Sequence, residues 1–102
     1  MDTFKIKAVL AAAKYKSFSR AAEEFSYTPS AFSHMASSFE KELGVCLFKR
    51  SNSGVELTEN GAILCESFEA LLEAEKQIYE KAATLQKELT KELKIVTYSS
   101  IS

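Results

Sequence analysis

The sequence predicts a mainly α fold: a winged helix-turn-helix, with a three-helix core and a two-stranded wing, followed by a long dimerisation helix. Three observations predict it. Residues 17–43, SFSRAAEEFSYTPSAFSHMASSFEKEL, read as two short helices joined by a tight turn. Residues 45–57 hold two short extended runs around the turn signal Ser51-Asn52-Ser53-Gly54. From Thr58 onward, apolar residues recur at alternating three- and four-residue steps to Leu89, the seam pattern of a helix that pairs with another.

The elements follow in order. Residues 2–15 form a first helix, with Ile6, Val9, Leu10 and Ala13 at i, i+3, i+4, i+7 and Asp2 or Thr3 as cap. Its role is packing beneath the motif. The second helix starts after Ser17 or Ser19, whose hydroxyls can cap it. Phe18, Ala21, Ala22 and Phe25 form its apolar face. Ser26-Tyr27 break it. Thr28 caps a third helix and Pro29 takes the first helical position, where a missing N–H costs nothing. That helix runs to about Leu43, and Gly44 supplies the left-handed residue that ends it. Val45–Arg50 and Val55–Leu57 are the two strands of the wing. Thr58 then caps a helix to about Leu89, roughly 45–50 Å long at 1.5 Å per residue. So small a domain cannot cover its seam, so a second copy of the chain is the expected partner. The interface set is Leu64, Phe68, Leu71, Leu72, Ile78, Ala82, Leu85 and Leu89. Residues 93–98 read as a short strand. The expected organisation is 1–58 for the winged domain, 59–90 for the linker and dimerisation helix, and 91–102 for the start of a truncated further domain.

Composition narrows the function classes. The chain has 102 residues and net charge −1, enough for one small domain plus an extension. Residues 1–50 hold eight Lys/Arg against five Asp/Glu, and residues 51–102 five against nine. The half that carries the two-helix motif is therefore the basic half, at +3. No apolar run is long enough to span a membrane, and the charged N-terminus has no signal-peptide layout. Cys46 and Cys65 lack metal-ligand spacing and read as free thiols of a reducing cytoplasm. No paired carboxylates, nucleophile-base set, phosphate loop or metal cluster points to an enzyme, a cofactor or a metal.

The third helix has two faces at 100° per residue. Phe32, Ala36, Phe39 and Leu43 make the apolar stripe, and Ser30, Ser33, His34, Ser37 and Lys41 lie opposite. Small side chains let a helix sit deep in a major groove, where hydroxyls and imidazole bond base edges or phosphates. An ordinary solvated face would carry the same residues. Lys49 and Arg50, at the base of the wing, are placed to reach phosphates or the minor groove. A weak local charge predicts modest, salt-sensitive attraction to DNA.

The stretches SFSRAAEEF (17–25), SAFSHMASSFEKELGVCLFKR (30–50) and GVELTENG (54–61) together resemble the N-terminal domain of LysR-type transcriptional regulators. The resemblance extends over residues 4–100, and ELKIVTYS (92–99) resembles the first strand of that family's effector-binding domain. It implies a recognition helix at 29–42 that reads double-stranded DNA, with an inverted-repeat operator bound by a homodimer. It also implies a bacterial cytoplasmic, nucleoid-associated protein whose missing C-terminal domain takes a small-molecule effector. The candidate DNA-binding residues are Ser17, Ser19, Arg20, Thr28, Pro29, Ser30, Ser33, His34, Ser37, Lys41, Lys49, Arg50 and the wing tip Ser51, Asn52 and Ser53. The sequence departs from the family pattern at Pro29, often glutamine, at Met35 and Ala36, and at a wing tip without a basic residue. These departures and the acidic second half leave an alternative: a dimeric protein-interaction module with this fold and weakened DNA binding.

Overall fold

The structure, a computed structural model, describes residues 1–93 of the chain, with side chains through Lys91. The elements are α1 (Thr3–Tyr15), α2 (Phe18–Glu24), α3 (Pro29–Leu43), β1 (Phe48–Ser51), β2 (Gly54–Leu57) and α4 (Glu59–Leu93). Residues Met1–Glu69 form one compact unit, and α4 from Ala70 onward belongs to a second. The strand expected at 93–98 begins at the last residue of α4, and the rest of it lies outside the described residues.

The helix boundaries follow from their caps. Asp2 accepts the Lys5 N–H, Ser17 that of Arg20, and Thr28 that of Ala31. Each carboxylate or hydroxyl satisfies one of the free donors of a helix start. Of the alternatives for the first two helices, Asp2 and Ser17 are the caps. Ser26 takes a left-handed φ of 59° within the four-residue connection Phe25–Thr28 between α2 and α3. Gly44 ends α3 at φ 73°.

The core is built from small residues where helices meet and aromatic residues where they diverge. Ala8, Ala11, Ala12, Ala21, Ala22 and Ala36 are buried together with Ile6, Val9, Phe32, Phe39 and Leu47. On α1, Ala8, Ala11 and Ala12 are more buried than the predicted Leu10 and Ala13, which are half-buried. Close approach to α2 and α3 selects small side chains there. Phe18 links the layers, with its ring 5.6 Å from Phe32 and 5.3 Å from Phe48.

The wing is a two-stranded antiparallel hairpin, with Phe48 opposite Leu57 and Ser51 opposite Gly54. Its first strand is shorter than the expected 45–50 run. The backbone of 45–47 is held by other partners: the Val45 N–H by the Glu40 carbonyl and the Leu47 N–H by the Glu40 carboxylate. The Leu47 carbonyl accepts the Thr58 N–H, and Thr58 donates its hydroxyl to the Cys46 carbonyl at 2.6 Å while capping α4 at Gly61. Two glycines allow the close approaches. A Cβ at Gly54 (φ 133°) would overlap the Lys16 carbonyl oxygen, and one at Gly61 that of Leu47.

The seam expected on α4 is corrected at its start. Phe68 is only 5% exposed, stacked on Phe39 at 5.8 Å, and Cys65 beside it is buried. Phe68 therefore belongs to the core of the first unit, and Leu64 is half-buried there. Further along, Leu71, Ile78, Ala82, Leu85 and Leu89 are exposed and Leu72 is half-buried. Among the described residues, no helix is long and apolar enough to cross a membrane.

Candidate nucleic-acid interface

The outer face of α3 is polar and built largely from small side chains. Ser30, His34, Ser37 and Lys41 are exposed and Ser33 is half-buried. They line an open groove whose other wall is Gly44, Val45 and Cys46. The opposite stripe, Phe32, Ala36 and Phe39, is buried as the 3.6-residue period requires, with Leu43 half-buried. Met35 is half-buried at the edge of the polar face.

Arg50 crosses from the wing to this face. Its Nη1 donates to Ser33 Oγ at 2.7 Å and its Nη2 to Ser37 Oγ at 2.7 Å. The guanidinium lies 4.9 Å from the centre of the Phe18 ring, and Nη2 stands 3.7 Å from Glu40 Oε1. The sequence places Arg50 at the base of the wing, in reach of phosphates or the minor groove. The structure places it across α3, with the fork of the guanidinium matched to two serines one helical turn apart.

Glu40 is the residue that sequence reasoning missed. Its Oε2 accepts the Leu47 N–H at 2.7 Å and the Phe48 N–H at 3.1 Å, and its Oε1 faces Arg50. One carboxylate thus ties the end of α3 to the wing's first strand and to the wing's arginine. The sequence does carry a signal: an acid in the last turn of a helix opposes the helix dipole, so it needs a compensating partner.

The remaining candidates fall in three places. Ser17 and Thr28 spend an oxygen lone pair on their caps. Ser19 and Arg20 are exposed on α2, with the Arg20 guanidinium 4.9 Å over the Tyr15 ring. The Tyr15 hydroxyl donates to Glu24 at 2.6 Å, and that hydrogen bond raises the phenol above its usual pKa. Pro29 is exposed at the first turn of α3. On the wing, Lys49 is exposed and stands opposite Glu56 in the ladder. At its tip, Ser51 and Ser53 hydroxyls lie 3.1 Å apart and Asn52 is exposed. The fold brings Ser30, Ser33, His34, Ser37, Lys41 and Arg50 to one face.

A family profile described as "Bacterial regulatory helix-turn-helix protein, lysR family" matches residues 4–62. The chain belongs to this family. Among curated relatives, it is similar to the HTH-type transcriptional regulator DsdC of Escherichia coli K12, 49% identical over 61 residues. That match covers 60% of this chain and 18% of DsdC. The fold of this LysR-family domain matches the CbnR DNA-binding domain solved with DNA, at TM-score 0.79 and 24% identity, over 84% of this chain and 99% of that one. It also matches Vibrio fischeri DarR, solved in complex with DNA, at TM-score 0.78 and 26% identity, over 85% of this chain and 30% of DarR. This LysR-family chain therefore spans under a third of the length of DsdC and of DarR.

Proposed function

We propose that this chain is the operator-binding end of a LysR-type transcriptional regulator. It reads duplex DNA by laying α3 in a major groove, with the wing against the flanking backbone. The observation that carries this reading is the α3 face itself: serines, one histidine and one lysine on an exposed helix, with Arg50 at its edge and Glu40 turned inward. Such a face offers donors to base edges and phosphates and presents no free carboxylate at its centre. The names of its relatives and the DNA in the CbnR and DarR structures support the same reading.

The exposed stripe Leu71, Ile78, Leu85 and Leu89 supports a homodimer, since these side chains repeat at heptad-compatible steps. Two copies would then read an inverted repeat with centres about one helical turn, or a multiple of it, apart. The protein acts in the bacterial cytoplasm on the nucleoid, and a C-terminal region beyond this sequence takes a small-molecule effector. It is a regulator rather than an enzyme. The net charge of −1 and a wing tip without a basic residue favour a second reading, a dimeric interaction module with weak DNA binding.

Selection of bound duplexes from a random pool at moderate salt separates the two. Enrichment of an interrupted inverted repeat is the expected result. A folded dimer that enriches nothing would overturn the DNA-reading assignment in favour of the interaction module.

A further inference from the structure

We infer that Arg50 acts as a positioning residue that sets the hydrogen-bonding polarity of the recognition helix, making Ser33 and Ser37 outward donors that select purine N7 acceptors. The inference rests on the DNA-reading assignment above and adds which chemistry the helix prefers.

A serine hydroxyl is ambivalent: one proton to donate and two lone pairs to accept. A free serine on a recognition helix therefore tolerates donors and acceptors alike and discriminates weakly. Guanidinium is not ambivalent, since it only donates. At 2.7 Å from each nitrogen, both serine oxygens accept from Arg50. The hydroxyl protons must point elsewhere. In a helix the usual alternative is the carbonyl four residues back, the arrangement Thr84 adopts with Glu80 and Thr90 with Gln86. Neither Ser33 nor Ser37 makes that bond among the described residues. Their protons are left for a partner outside the chain.

The positive charge reinforces the bias. It polarises each O–H toward donation, and it opposes a second donor approaching the remaining lone pair. The major groove offers acceptors at purine N7, guanine O6 and thymine O4, of which N7 is the one every purine presents, whereas cytosine N4 and adenine N6 present donors. A helix with two serines fixed as donors favours the acceptors, with N7 available at every purine, and rejects the donors. The guanidinium is itself held in register by the Phe18 ring below it and Glu40 Oε1 beside it. The polarity is thus built into the fold before DNA arrives.

The test uses the full 102-residue chain and the duplex enriched by selection. Each purine of one half-site is replaced in turn by its 7-deaza analogue, which removes N7 and leaves base pairing intact. Wild type should lose about fivefold affinity at one or two positions, the weight of a single hydrogen bond. That penalty should vanish at one position in Ser33→Ala and at the other, where there are two, in Ser37→Ala. In Arg50→Lys, which keeps the charge but not the fork, the penalty should shrink to twofold or less, while the salt dependence of binding stays unchanged. A merely structural arginine would alter affinity equally for natural and deaza duplexes. The inference is overturned if no deaza position matters, if the penalties survive both serine variants, or if Arg50→Lys leaves them intact. Failure to enrich any duplex would instead remove the DNA-reading assignment itself, and this inference with it.

Discussion

The carboxylate of Glu40, in the last turn of α3, accepts the backbone N–H of Phe48, the first residue of the wing, at 3.1 Å. The same oxygen accepts the Leu47 N–H. Removing it leaves two part-buried donors without a partner. Glu40→Ala is expected to cost about 2 kcal/mol, in line with losing charged hydrogen bonds at a partly buried site. Glu40→Gln keeps a neutral acceptor oxygen and should cost about half as much. Urea unfolding with an unchanged m-value checks both, and an alanine variant as stable as wild type would refute the role given to Glu40.

Two glycines should resist alanine for different reasons. Gly61 lies inside α4, where alanine is intrinsically favoured, yet its Cβ would overlap the Leu47 carbonyl oxygen. Gly61→Ala should destabilise by about 2 kcal/mol through overpacking. Gly44 has open space around it, and its cost in Gly44→Ala comes from φ 73° alone, about 1 kcal/mol. Thermal melts of the pair give the order directly.

The apolar residues of α4 divide between two jobs. Phe68→Ala should lower stability by about 3 kcal/mol, because the ring is buried against Phe39. Ile78 and Leu85 are 64% and 67% exposed in the single chain. Ile78→Asp with Leu85→Asp should turn a dimer into a monomer in sedimentation, with the near-ultraviolet spectrum of the winged domain retained. A double variant that still sediments as a dimer would place the interface elsewhere.

The two thiols should separate by rate. Cys46 is exposed, while Cys65 is buried and its thiol is pushed up, first by burial and then by the Glu69 charge. The thiolate is the reactive form, so Cys65 has less of it at any given pH than an unperturbed thiol. The folded state therefore holds the Cys65 proton through the pH range where the unfolded chain releases it, and that preference for folding is lost as pH rises through the elevated value. Ellman's reagent near neutral pH should modify one thiol per chain quickly and the second only on denaturation.

The sequence made the local grammar legible. Asp2, Ser17, Thr28 and Thr58 cap where their side-chain chemistry says they should, and Gly44 ends α3 in the left-handed region. The buried stripe Phe32, Ala36 and Phe39 follows from periodicity alone. What stayed hidden depends on contacts between distant segments. Phe68 reads as one more seam position because heptad spacing cannot tell a residue covered by α3 from one covered by a second helix. The start of β1 reads three residues early because Val45–Leu47 continue the apolar run into Phe48, while their backbone partners are Glu40 and Thr58 rather than a strand. Arg50 was visible as a cation at the wing, but its partners Ser33 and Ser37 lie 17 and 13 residues away. Gly61 carried a usable signal, since an isolated glycine inside a helix often marks a close approach.

The wing has strands of four residues each, and a lone two-stranded hairpin is at best marginally stable in water. Its order is borrowed: the Val55 N–H bonds the Lys16 carbonyl, and the Phe48 N–H bonds Glu40. Breaking the hairpin therefore means undocking it from the α1–α2 connection and from α3 together. Its anchoring amides, at Leu47, Phe48 and Val55, should exchange hydrogen with solvent at the rate of global unfolding rather than by local fraying. Transplanted without its anchors, the same ten-residue segment, 48–57, would be an unstructured peptide.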